Sequence, residues 1–207
     1  MTEARPFATL LASPGVEEHC ELRGRLGFMA YHGGSLEEQT DVIAREAAAR
    51  CGASYYAVLQ PADLQWHIPS HKVTPDQSDR LAEFVEHVDV VITVHGFGRR
   101  GLFTSLLLGG QNRDLAAHIA SHLSHRLPAY DIVTDMEAIP KELRGLHAAN
   151  PVNLPRQQGV QIELPPRVRG SSALWADWEG PGRVPHTEQL IDGLVAAATT
   201  WPLPRRA

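Results

Sequence analysis

Cysteine is nearly absent from this sequence. Only Cys20 and Cys51 occur in 207 residues, too few for a disulfide framework, and neither stands in a C-x-x-C pair that would point to metal or redox chemistry. Long apolar runs are missing as well. No stretch of 18 apolar residues is found, which argues against a transmembrane helix, and the amino-terminal MTEARPFATLLASPG has too short an apolar patch for a secretory signal. The expectation is a cytoplasmic protein with no membrane partner. Positive charge is in deficit: 19 Lys and Arg against 24 Asp and Glu give a net charge of −5 at pH 7. The arginines are scattered, so the basic stripe of a duplex-binding protein is missing and nucleic acid is not an expected partner. Internal repeats and low-complexity segments are also absent.

What is present suits one buried core. The chain is 43% hydrophobic, and its length demands no second domain. A single domain over 1–207 is expected, with a core from about residue 20 to residue 200 and flexible ends at 1–12 and 201–207. Apolar runs bounded by Gly, Pro and polar clusters predict strands at 25–32, 54–60, 89–95, 102–108, 129–134 and 160–164. Several are continuous rather than alternating, as in a sheet covered on both faces.

Between the strands lie helical patterns. One covers 36–50, with a capping box formed by Ser35 and Glu38. A second follows Pro75 with Leu81, Phe84, Val85 and Val88 on one face, a third covers 113–126, and a fourth 187–199. Residues 143–158 and 165–185 read as loops. The fold class is therefore α/β, a mixed and mostly parallel sheet flanked by helices.

The chemistry concentrates at strand ends. In AYHGGSLEE, residues 30–38, an apolar strand ends in His32, turns through Gly33 and Gly34, and enters the first turn of a helix carrying Glu37. Five residues on one helix would set His32 and Glu37 about 140° apart, so they can meet only across a bend, at the strand end where open α/β sheets place their sites. A first-turn Glu is also favoured by the helix dipole alone, and Gly-Gly is a common turn. VDVVITVHGFGRR, residues 88–100, repeats the design and ends in His95. Two histidines and one glutamate with an open fourth position form the ligand set of a catalytic Zn2+ site. In GVQIEL, residues 159–164, Gln161 and Glu163 point away from Val160, Ile162 and Leu164. Glu163 is thus a candidate general base, or else one half of an ion pair with Arg167 or Arg169.

Taken together, HGGSLE, VHGFG, LLLGGQN and GVQIEL resemble the poly-γ-glutamate hydrolase family, small phage and bacterial enzymes also labelled phage-related replication proteins. The resemblance spans roughly residues 30–167. It implies a trimmed zinc carboxypeptidase fold that hydrolyses γ-linked amide bonds of polyglutamate, with His32, Glu37 and His95 as zinc ligands and Glu163 as the acid/base carboxylate. It also aligns WHIPSH, residues 66–71, with a family stretch LHITS, in which Pro69 here replaces the threonine. Carboxypeptidase-like enzymes hold a substrate carboxylate with an Asn-Arg pair. Asn153 and Arg156 are the candidates for that task, with Arg99 and Arg100 as competitors that could instead stabilise the oxyanion; ordinary surface solvation accounts for the arginines equally well.

Other features carry less. His118, His122 and His125 recur at helical spacing, but without the Glu of an H-E-x-x-H motif they read as a solvated face. Leu108 to Gly110 lacks the Lys and Ser/Thr of a phosphate loop. Trp175 and Trp178 fit core or interface equally.

The expected activity is zinc-dependent hydrolysis of an amide beside a carboxylate, with an acidic peptide or glutamyl amide as substrate and a monomer or small homo-oligomer as the working form. The rivals are an N-acyl-amino-acid deacylase or cell-wall amidase, and an inactive, zinc-retaining carboxylate-binding module. A replication role is opposed by the acidic balance.

Overall fold

Two apolar strands run parallel through the middle of the protein, β2 (Leu26–Gly34) and β4 (Val90–Gly96). In the computed structural model, which describes residues 5–203, they belong to a seven-stranded sheet. The other strands are β1 (Glu17–Glu21), β3 (Ser54–Gln60), β5 (Ser105–Leu108), β6 (Asp131–Val133) and β7 (Gly159–Leu164), in the order β1-β3-β2-β4-β7-β5-β6. Pairing is parallel except between β1 and β3 and between β5 and β7. The chain leaves β2 for β3 on one side and then returns to β4 on the other. The carboxyl ends of β2 and β4 therefore flank a topological switch point, where a crevice forms between the diverging connections.

Alternation along the strands builds two cores. Phe28, Ala30, Tyr55, Val90, Ile92, Val94, Val160 and Ile162 face α2 (Thr40–Cys51), α4 (Arg113–Ser124) and α6 (Pro185–Thr200) through Ile43, Leu115, Ile119, Leu190 and Leu194. On the opposite face Met29, Tyr31, Tyr56 and Val91 pack against Phe7 and Leu10 of α1 (Pro6–Leu11) and Leu81 and Phe84 of α3 (Asp79–His87). Each large side chain buried in this way contributes about 1.5–3 kcal/mol. A one-turn helix, α5 (Pro166–Arg169), follows β7. Among the described residues no helix is long and apolar enough to cross a membrane.

Several elements differ from the sequence reading, each for a local reason. The first long helix starts at Thr40, not Leu36, and has no side-chain cap, Gln39 at its N-cap being left-handed at φ 73°. Ser35, expected to cap it, instead uses its N–H and hydroxyl on Gln60 O, both at 3.0 Å. Helix α1 forms within the stretch expected to be flexible, with Pro6 in its first turn and the Phe7 N–H donating to Gln77 Oε1 at 3.0 Å; residues 1–4 and 204–207 lie outside the described residues. At the other end Trp201 and Leu203 pack on the core. Strand β1, EEHCE, lacks the apolar pattern that would announce it and is held by its ladder with β3 and by Tyr56, whose hydroxyl donates to Glu18 Oε1 at 2.7 Å. Strands β5 and β6 are shorter than expected, because Leu102 to Ser105 closes a turn and the sheet edge ends after three residues.

Candidate functional site

His32 reaches the crevice because β2 is irregular. Between Ala30 and Gly33 the strand spends three steps against two on β3, Ala30 pairing with Ala57 and Gly33 with Leu59. Simple alternation would send His32 to the same side as Phe28 and Ala30; the extra residue re-aims it beside Tyr31, as bulges near sites commonly do. The rings of Tyr31, His32 and His95 consequently lie 4.8 to 5.0 Å apart.

Glu37 sits in the turn before α2 rather than in its first helical turn. That turn is closed by the Glu37 N–H donating to His32 O at 3.0 Å, and by the Thr40 hydroxyl donating to Glu37 O at 2.7 Å. Gly34 permits it: its φ is 69°, and a Cβ there would lie 2.4 Å from Gln60 O.

The three side chains converge. His32 Nδ1 lies 3.0 Å from Glu37 Oε1, and His95 Nδ1 3.1 Å from Glu37 Oε2. One ligand atom from each residue falls within 4.8 Å of the others, and both histidines are buried. His32 Nε2 faces Ile68 O at 2.9 Å, an acceptor only, so Nε2 carries the proton. His95 Nε2 faces Tyr31 Oη at 2.9 Å, and the Tyr31 proton is committed to Asn150 Oδ1 at 3.2 Å, so here too Nε2 is the donor. In the neutral rings both Nδ1 lone pairs then point at carboxylate oxygens, an acceptor against an acceptor. A cation among the three atoms removes that conflict. Imidazole nitrogens oriented by hydrogen bonds from their far nitrogens, together with one carboxylate, are a donor set suited to zinc.

Burial alone would raise the Glu37 pKa; positive charge at His32 and His95 holds it well below the usual carboxylate range, and with neutral rings a bound cation would supply that positive charge. The Gly96 N–H also donates to Glu37 Oε2 at 2.9 Å. Behind Gly96 lies the buried Arg169, whose Nε donates to Leu164 O at 3.1 Å; a Cβ on Gly96 would lie 2.8 Å from the Arg169 Cζ.

Glu163 is the register partner of His95 across the β4–β7 pair. Burial pushes its pKa up to about 7, against the lowering effect of His95. It makes no direct ion pair with the arginines that follow it: Arg169 is turned to backbone carbonyls, and Arg167 lies over the Tyr130 ring at 5.4 Å. Its hydrogen bond comes from Gln161, whose Nε2 donates to Glu163 Oε1 at 2.8 Å. Asn150 Nδ2 in turn donates to Gln161 Oε1 at 2.8 Å. A buried chain of donors thus joins His95 to Glu163 through Tyr31, Asn150 and Gln161. Burial drives the Tyr31 pKa far up, so its hydroxyl keeps the proton the chain needs. Nothing in the sequence pattern marks Tyr31 or Asn150 for this chain; Gln161 is announced only by the strand face it shares with Glu163.

A cavity of about 400 Å³ opens over these groups, lined by His32, Glu37, His95, Glu163 and Gln161 on one side and by Ser70, His71, Lys141 and His147 among others. The residues expected to hold a substrate carboxylate do not line it. Asn153 is buried, accepting from the Gln111 N–H at 3.1 Å and donating to Gly145 O at 2.7 Å. Arg156 and Arg100 are exposed and do not line the cavity, and Arg99 pairs with Glu142, itself a lining residue, at 2.6 Å.

The other candidate features also find places. His118 and His122 are partly exposed and bond Thr200 Oγ1, each at 3.1 Å, where α4 packs on the end of α6, and His125 is exposed. Trp175 is half-buried and donates to Arg167 O at 2.8 Å, whereas Trp178 is exposed.

Comparison with known proteins places this geometry. A bacteriophage poly-gamma-glutamate hydrolase superposes with a TM-score of 0.73 at 16% identity, over 90% of this chain and 90% of that one. A zinc-free apo form of YNDL superposes with a TM-score of 0.73 at 18% identity, over 89% and 90%. At these identities the likeness is one of fold. No curated protein matches the sequence. The sequence profile of the family named Poly-gamma-glutamate hydrolase, by contrast, matches residues 9–190, which take in His32, Glu37, His95 and Glu163 and every strand of the sheet. The chain therefore belongs to the poly-gamma-glutamate hydrolase family.

Proposed function

We propose that this protein is a zinc-dependent hydrolase of amide bonds next to carboxylates, with γ-glutamyl linkages as its substrate class. The observation that carries the reading is the convergence of two strand-end histidines and Glu37 within 4.8 Å, with Glu163 beside His95 in the sheet. His32, Glu37 and His95 would hold the metal. When bound, zinc supplies Lewis acidity to a carbonyl and makes a water more acidic.

The chain's own residues account for the rest. Glu163 takes a proton from the attacking water and hands it to the leaving amine nitrogen, work suited to a carboxyl whose pKa lies near neutrality. Gln161 fixes Glu163 Oε1, leaving Oε2 without a hydrogen-bond partner among the described residues. Tyr31 and Ile68 O keep the protons of both imidazoles on Nε2, so that each Nδ1 faces inward.

The deciding experiment combines metal analysis of the purified protein with hydrolysis assays on γ-linked and α-linked glutamyl oligomers. Cleavage of the γ-linked series that is abolished by chelation and restored by Zn2+ is the expected result. A metal-free protein that cleaves equally well, or a zinc protein inert on both series, overturns the reading.

A further inference from the structure

Selectivity for an amide beside a carboxylate needs a positive or donating group on the wall of the cavity, and the arginines are used or placed elsewhere. Arg99 is paired with Glu142, Arg100 and Arg156 do not line the cavity, and the Asn153 side chain is bonded to backbone groups. Apart from the cluster itself and His67, whose ring sits 4.6 Å from that of His32, the basic groups lining the cavity are Lys141, His71 and His147.

Their circumstances suit an anion. No hydrogen bond or ion pair engages the Lys141 ammonium among the described residues, and the one carboxylate next to it in sequence, Glu142, is taken by Arg99. The Ala149 N–H donates to His147 Nδ1 at 3.1 Å, which puts the neutral ring's proton on Nε2, a donor with no acceptor among the described residues. The His71 ring packs on His147 with centroids 4.8 Å apart, and its nitrogens are likewise uncommitted. Three exposed donors from two separate segments therefore line one cavity, His71 and His147 in ring contact, and the carboxylate that lines it beside Lys141, Glu142, is held by Arg99.

We propose that Lys141, His71 and His147 form a carboxylate-binding subsite that receives the free carboxylate on the carbon bearing the scissile nitrogen. The inference rests on the γ-glutamyl reading: in a γ-linked oligomer every residue keeps an α-carboxylate at that position, whereas in an α-linked chain an internal residue carries its carboxylate on the side chain. An ammonium on a flexible stem with two imidazole donors does the work that a planar arginine fork would otherwise do.

The test uses the Glu163→Gln protein, in zinc-loaded and metal-free forms, and titration calorimetry with γ-linked triglutamate and with the same compound after amidation of its α-carboxylates. Lys141→Ala and His147→Phe are added separately; the phenyl ring keeps the contact with His71 and removes the donor. Each is expected to weaken triglutamate binding about 10- to 100-fold, the range of one charge-assisted hydrogen bond, in both metal states, with little effect on the amidated compound and an unchanged thermal midpoint. Equal weakening for both compounds, no weakening for either variant, or no triglutamate binding to the parent overturns the subsite. Failure of the hydrolase reading shows differently: the native enzyme leaves γ-linked oligomers uncleaved while triglutamate still binds in a Lys141-dependent manner.

Discussion

Glu163 and His95 lie opposite one another in the parallel β4–β7 pair. Adjacent strands in a sheet are about 4.8 Å apart, so the backbone ladder fixes the spacing between the candidate proton carrier and a candidate metal ligand. Loop motion cannot alter it.

Metal binding is the first consequence to measure. With two imidazoles and one carboxylate forming a three-ligand set, about one zinc per chain is expected, and His32→Ala should abolish it. Full zinc occupancy in that variant, read by atomic spectroscopy after dialysis, would show that the metal sits elsewhere.

Glu163→Gln keeps the side chain's shape and removes its proton acceptor. Turnover of a γ-linked oligomer should fall by about 10² to 10⁴, with zinc content unchanged. Kinetics like those of the parent would remove Glu163 from the proton path.

Gln161 tests the buried donor chain. Gln161→Leu deletes the hydrogen bond to Glu163 Oε1 and strands the Asn150 amide. If Gln161 acts by positioning Glu163, kcat falls while KM stays nearly constant, and the pH profile of kcat shifts. Gln161→Glu keeps an acceptor for Asn150 but restores no donation from an ionised carboxylate, so it should not rescue kcat. A loss confined to thermal stability, with kcat unchanged, would assign Gln161 a structural role only.

Stability of the metal-free protein should carry the mark of Glu163. Its folded pKa, about 7, lies above the unfolded value of about 4.3. Between those limits the folded state holds a proton that the unfolded state has released, so this group's contribution falls as pH rises through the window. Glu37, held below its usual range, acts oppositely and only under acidic conditions. The midpoint difference between Glu163→Gln and the parent, both in chelator, should therefore grow from pH 5 to pH 8. A constant difference across that range would contradict the burial effect.

The parts of this protein that declare themselves in sequence are those governed by local pattern. Continuous apolar strands ending in His32 and His95, and the alternation that separates Glu163 from Val160 and Ile162, can be read directly, because burial on a pleated surface imposes that order. What local pattern does not announce depends on tertiary contacts. Ser35 and Glu38 have the spacing of a cap, but Gln60 O claims Ser35, and the turn instead serves to bring Glu37 back to Gly96. The bulge that re-aims His32 leaves no mark beyond a pair of glycines. Arg99, Arg100 and Arg156 lie close in sequence to His95 and Glu163, whereas Lys141 and His147 line the cavity from the long segment between β6 and β7, which pattern alone does not locate.

The two ends of the sheet bear on how copies of the chain can meet. An unprotected edge strand invites another strand to add to it. At one end β1 exposes Glu17 and Glu21, and a second copy of it paired antiparallel would bring carboxylate against carboxylate. At the other end β6 offers only three residues, from Asp131 to Val133, too few for a stable added ladder. Charge at one edge and shortness at the other thus oppose growth of the sheet in both directions without closing it into a barrel.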